Sequence, residues 1–197
     1  MKRCELARQV YTASHIEGHF VLRSGKTSNE YIDKYLFETD PCLLKSIAEG
    51  MAKMVPGNCE VLAGLEMGGI PVATVLSQVT GLPALFVRKK AKQHGTCKLA
   101  EGQDVAGKRL VVVEDVVTSG GQIIDSTKEL RKLGATVEDV ICVIDRESGA
   151  SENLRKEGLS FRALFTMSEL ERAAEPSRAA DRKDAAADTC VGAGTRR

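Results

Sequence analysis

At 197 residues, with 43% hydrophobic and 28% charged residues, the chain has the make-up of one globular domain with a sizeable core. Its net charge of +1, spread without a basic face, excludes an obvious nucleic-acid binder. No apolar run approaches membrane-spanning length, and the opening MKRCELARQV is too polar for a secretory signal.

Cys4, Cys42, Cys59, Cys97, Cys142 and Cys190 form no C-x-x-C, and none pairs with a histidine at zinc spacing. They read as reduced thiols, and the expected location is cytoplasmic.

Residues 2–14 read as a short helix. Residues 19–23 and 31–35 flank the turn-rich Ser24-Gly25-Lys26-Thr27-Ser28-Asn29 and predict a hairpin or small hood. Arg23, Lys26 and Lys34 read there as a solvated face. Asp40 as N-cap and Pro41 at the first helical position open a helix with Leu44, Ile47, Met51, Met54 and Val55 on its packing side.

Residues 61–65 form the next strand. It runs into Glu66-Met67-Gly68-Gly69-Ile70-Pro71 and a helix with Val72, Leu76 and Val79 inward. A glycine loop feeding a helix start presents free amides and suits an anion. A further strand, 84–87, leads into Arg88-Lys89-Lys90-Ala91-Lys92-Gln93-His94-Gly95-Thr96. A charge run of this kind is ordinarily a solvated loop. After a core strand, in a chain with anion loops needing countercharge, it reads instead as a mobile flap that closes over a diphosphate.

The chain is organised around RLVVVEDVVTSGGQ, residues 109–122. The β-branched run 110–113 lacks alternation, as a strand buried on both faces does. It meets Glu114 and Asp115, then Thr118-Ser119-Gly120-Gly121, then a helix with Ile123, Ile124, Thr127, Leu130 and Leu133 at helical spacing and Gly134 as its end signal. Hydroxyls and glycines at a helix start bind phosphate. Two carboxylates would repel one; they suit sugar hydroxyls or a divalent cation. A sugar phosphate satisfies the whole stretch. Neither G-x-x-x-x-G-K-[ST] nor G-x-G-x-x-G is present, which argues against a nucleotide P-loop and a Rossmann redox protein.

Residues 137–144 form a strand ending in Asp145-Arg146-Glu147-Ser148-Gly149, where a parallel sheet faces its ligand. Arg146 there suits a planar carboxylate, or a surface salt bridge with Asp145 or Glu147. Residues 153–156 read as helical and 161–165 as the last strand, and Ser168-x-x-Glu171 has the form of a capping box starting the final helix. Strands alternating with helices predict an α/β fold, a central mainly parallel sheet flanked by helices, with a small N-terminal hood over residues 1–40. The expected domain is 1–171; residues 172–197, rich in Ala, Arg, Asp and Gly, read as a disordered tail.

The 109–122 stretch resembles the 5-phosphoribosyl-1-diphosphate (PRPP) site of type I phosphoribosyltransferases. With FVLRSGKTSNEYIDKY (20–35), FVRKKAKQHGT (86–96) and VIDRESG (143–149), residues 1 to about 172 resemble one family, the orotate phosphoribosyltransferases. The resemblance implies the type I phosphoribosyltransferase fold and transfer of ribose 5-phosphate from PRPP to orotate, giving orotidine 5'-monophosphate and diphosphate in pyrimidine biosynthesis. It implies that Thr118, Ser119, Gly120 and Gly121 hold the 5-phosphate, that Val116, Val117 and Gln122 also bind PRPP, and that Glu114 and Asp115 meet the ribose hydroxyls. Arg88, Lys89, Lys92 and His94 match a mobile loop shared across a homodimer, with Lys92 and Asp115 the expected catalytic groups. Arg146, with Thr118 nearby, matches the orotate-binding arginine, and Arg23 stands where a ligand-touching lysine is usual. Mg²⁺ is implied as carried by the diphosphate and ribose, without dedicated protein ligands. Gly68 departs from members that have a lysine before Gly-Ile-Pro. The rival readings are a phosphoribosyltransferase for another base and a non-enzymatic PRPP-sensing regulator.

Overall fold

The computed structural model describes residues 1–21, 25, 27–89 and 99–175. Arg23, Lys26, Lys92, His94, Cys97 and Cys190, with most of the basic flap and nearly all of the expected tail, lie outside the described residues.

Helix α1 (Arg3–Ser14) leads into an antiparallel hairpin of β1 (His15–Val21) and β2 (Thr27–Ile32), the expected hood. The hood strands begin earlier than their pattern suggested, and the segment after β2 is helical: α2 (Lys34–Thr39), capped by the Asp33 side chain accepting from Tyr35 N at 3.1 Å. Helix α3 (Pro41–Ala52) starts on Asp40, whose carboxylate accepts from both Cys42 N and Leu43 N at 2.9 Å.

The body is then β3 (Val61–Leu65), α4 (Gly69–Thr80), β4 (Ala84–Val87), β5 (Ala100–Glu101), β6 (Arg109–Val117), α5 (Gly121–Lys132), β7 (Thr136–Asp145), α6 (Ala150–Lys156), β8 (Ser160–Thr166) and α7 (Met167–Ala174). Strands order as β5-β4-β3-β6-β7-β8, all neighbours parallel except β4 with β5. β6 is thus central, and its β-branched residues face both layers. Val111 and Val113 pack with α1, α3, α4 and α7, while Leu110 and Val112 pack with α5 and α6. Among the described residues no helix is long and apolar enough to cross a membrane.

Three details differ from the sequence pattern. Val79 and Leu133 are exposed, because each lies at a helix end where the chain turns from the sheet. The capping box of α7 uses Thr166 and Glu169, not Ser168 and Glu171. Ser168 is engaged elsewhere: its N–H and hydroxyl both donate to Glu147 after β7. Arg3 ties α1 to the same corner, donating to Leu164 O at 2.7 Å and to Glu169, with its guanidinium 4.9 Å from the Phe165 ring centre.

Loss of the Thr166 hydroxyl should destabilise the fold by about 1 kcal/mol, the usual worth of a threonine cap. A urea titration of Thr166→Ala checks this: the midpoint should fall while the slope stays constant.

Candidate functional site

Three helices that start at the C-terminal edge of the sheet, α4, α5 and α6, lack side-chain caps. α5 begins on Gly120 and α4 on Gly68, and no side chain accepts from their first turns. By contrast α2, α3 and α7 carry Asp33, Asp40 and Thr166 as caps. Open first-turn amides at the positive end of a helix dipole form an anion site. Gly120 makes the turn into α5 with φ +81, a conformation that side chains rarely adopt. Thr118, Ser119, Gly121 and Gln122 are exposed around it.

The two loops are braced together. Gln122 Nε2 donates to Glu66 O at 3.0 Å, and Asn153 Nδ2 donates to Ser119 O at 3.0 Å. One ligand with an anionic group at each end would meet both loops. Val117 is buried in the core, so it can offer such a ligand only its backbone.

The acid pair is more enclosed than its motif suggests. Glu114 is 9% exposed and Asp115 1%. Neighbouring strand residues alternate faces, and Asp115 faces α2 and the Gly68 loop. Its Oδ1 accepts from Val116 N, and its Oδ2 is ion-paired with Lys34 Nζ at 2.5 Å. A Cβ on Gly68 would stand 1.6 Å from Asp115 Oδ2 and 2.7 Å from Glu38 Oε1. With the two carboxyl groups placed as they are, a side chain at position 68 would strike both unless they moved.

Lys34 is thus not a solvated charge but the partner of Asp115. Burial alone would lower its pKa, yet the hydrogen-bonding and charge of Asp115 outweigh that and hold it raised. Glu114 is pushed well up, chiefly by burial and then by the charge of Asp115. Glu38, 7% exposed on α2, completes the cluster. Sequence reading missed both Lys34 and Glu38. Their i,i+4 spacing around the apolar Phe37 was the available signal, and it needed α2 to be recognised as a helix.

Arg146 leaves the end of β7 with its N–H on Val117 O at 2.9 Å. Its side chain is exposed, and no ion pair among the described residues engages it. The expected salt-bridge partners are occupied: Asp145 Oδ1 accepts from Glu147 N, and Glu147 holds Ser168. The guanidinium is therefore available to a planar anion beside Thr118. At the root of the basic flap, Arg88 pairs with Glu101 at 3.4 Å and Lys89 N donates to Glu66 Oε2 at 2.9 Å. The flap's root is thereby tied to the α4 loop. Among the described residues no group of three His, Cys, Asp or Glu could hold a metal ion.

Comparison with known proteins agrees with this geometry. The family model "Phosphoribosyl transferase domain" matches residues 38–161. An orotate phosphoribosyltransferase of a Nocardioides species is 49% identical over 170 residues, 86% of this chain and 95% of that protein. Among solved structures, orotate phosphoribosyltransferase of Mycobacterium tuberculosis H37Rv superposes with a TM-score of 0.78 at 34% identity, over 85% of this chain and 98% of that one. The same enzyme solved with PRPP gives a TM-score of 0.74 at 31% identity, over 86% and 98%. On these matches the chain belongs to the orotate phosphoribosyltransferase family.

Proposed function

We propose that the protein transfers the ribose 5-phosphate group of PRPP to N1 of orotate, forming orotidine 5'-monophosphate and diphosphate in pyrimidine synthesis. The observation that carries this reading is the uncapped start of α5, which follows the acid pair of β6 and precedes Arg146 at the end of β7, an arginine in no ion pair among the described residues. The relative from M. tuberculosis has been solved with PRPP, which supports the same ligand here.

In this reading the first-turn amides of α5 and the hydroxyls of Thr118 and Ser119 take the 5-phosphate. The α4 loop takes the diphosphate end. Asp115, with Glu114 beside it, meets the ribose hydroxyls and balances positive charge that builds on the sugar as the C1 bond to diphosphate breaks. Since Lys34 and Gly68 cover Asp115 Oδ2, a ribose hydroxyl would meet the carboxylate at Oδ1. Arg146 clamps the orotate carboxylate and aims N1 at C1, so that attack inverts that carbon. Arg88, Lys89, Lys92 and His94 neutralise the departing diphosphate, and Arg23 adds a ligand contact from the hood.

Magnesium, in this reading, enters on the oxygens of PRPP. The described side chains offer no cage for it, and Asp115 is already committed to Lys34 and a backbone amide. The flap would be shared across a homodimer, each copy completing its neighbour's site, and the working compartment would be the cytoplasm.

The direct test mixes protein, PRPP, Mg²⁺ and orotate and follows loss of orotate absorbance. No turnover would overturn the reading. Lys92→Ala should lower kcat by roughly 10²–10³, the usual effect of removing one group that stabilises developing charge, with an unchanged melting curve. Arg146→Ala should raise KM for orotate at least tenfold, roughly one lost charge-assisted contact, and leave KM for PRPP unchanged. Steady-state kinetics with each substrate varied in turn separates the two.

A further inference from the structure

Two carboxyl groups share one dry corner beneath the α4 loop. Glu38 Oε1 is buried with no hydrogen-bond partner among the described residues, and the neighbouring Asp115 Oδ2, also buried, is met by Lys34. Both border the Cα of Gly68, as the distances to a Cβ there show. Two ionised carboxylates so close and so dry repel strongly, whereas one proton on Glu38 removes the repulsion and gives its orphaned oxygen a partner. Lys34, at 2.5 Å from Asp115 Oδ2, decides which group keeps the negative charge.

We propose that Glu38 is a positioning residue for the transfer reaction: as a neutral carboxylic acid it donates its hydroxyl to Asp115 Oδ2 and, with Lys34, fixes the carboxylate that receives the ribose of PRPP. This rests on the reading of Asp115 as a ribose contact. The arrangement commits Oδ2 to Glu38 and Lys34 and one side of Oδ1 to Val116 N, so the ribose hydroxyl is received on the remaining side of Oδ1. The charged groups facing Glu38 are Asp115 and Glu114 of β6 and Lys34 of α2. Burial first, and then the hydrogen bond and charge of Asp115, push the Glu38 carboxyl up to about 9. It is therefore neutral in the working range. Gly68 contributes by leaving room for the pair.

The test compares Glu38→Ala, Glu38→Gln and Asp115→Asn in steady state. Glu38→Ala should raise KM for PRPP by about tenfold or more, the scale of one lost hydrogen bond to a charged group, with KM for orotate unchanged. Glu38→Gln, whose amide can donate to the same oxygen, should restore KM for PRPP to within about twofold of the parent; isosteric replacement of a neutral donor predicts this. A KM for PRPP that stays at the parent value in Glu38→Ala, or a Gln variant as impaired as the Ala variant, overturns the inference. Asp115→Asn with an unchanged KM for PRPP would instead overturn the ribose contact itself, and this proposal with it.

Stability against pH gives a readout that survives if Glu38→Ala does not fold. A raised carboxyl makes the folded chain hold a proton that the unfolded chain releases from its ordinary value of 4.5 upward. That contribution is complete below 4.5 and is lost as pH rises towards 9. The melting temperature of Glu38→Gln relative to the parent should therefore climb between pH 5 and pH 9. A difference that stays flat over that range shows that Glu38 is ionised and defeats the neutral-donor role.

Discussion

A strand buried on both faces cannot end in carboxylates unless each finds a partner, and this requirement organises the site. β6 carries its apolar side chains into both layers and then presents Glu114 and Asp115 at the mouth of the sheet. An unpaired buried charge is far more costly than most single packing defects. The chain answers with Lys34 from α2, with the amide of Val116, and with a glycine where any side chain would strike the carboxylate. The hood, the α4 loop and the central strand are thereby joined at one ionic point.

The phosphate ends work by a complementary means. Carboxylate or hydroxyl caps start α2, α3 and α7, while α1 and α6 begin without one. At the ligand edge α4 and α5 start without a side-chain cap, which leaves the first amides of α5 open, whereas in α4 Ile70 N–H donates to Met67 O and Pro71 has no N–H. The bond from Gln122 to Glu66 O then keeps the two uncapped starts in register. The site is a set of unmet hydrogen-bonding capacities held at fixed spacing by a rigid sheet.

Much of this was legible in the residues. The unalternating run of β6, the acids and Thr118-Ser119-Gly120-Gly121 are contiguous, and Asp40-Pro41 announced α3 by local rules alone. The misses share a cause. Lys34 and Glu38 matter through a residue about eighty positions away, so a reading of nearby sequence took Lys34 for a solvated charge. Ser168 had the look of a cap, but Thr166 takes that role because β8 delivers the chain there, and Glu147 claims Ser168 across twenty-one positions. Long-range partners, not local propensity, decided each case.

Glu147 is also the described non-glycine residue with positive φ, at +55. It sits directly after Arg146, and its carboxylate grips the first turn of α7, against which α1 is clamped by Arg3. The backbone carrying the guanidinium is therefore moored to α1 and α7. A purification tag that pries α1 loose, or a trimming that shortens α7, would slacken base recognition while leaving the phosphate cradles on their own strands.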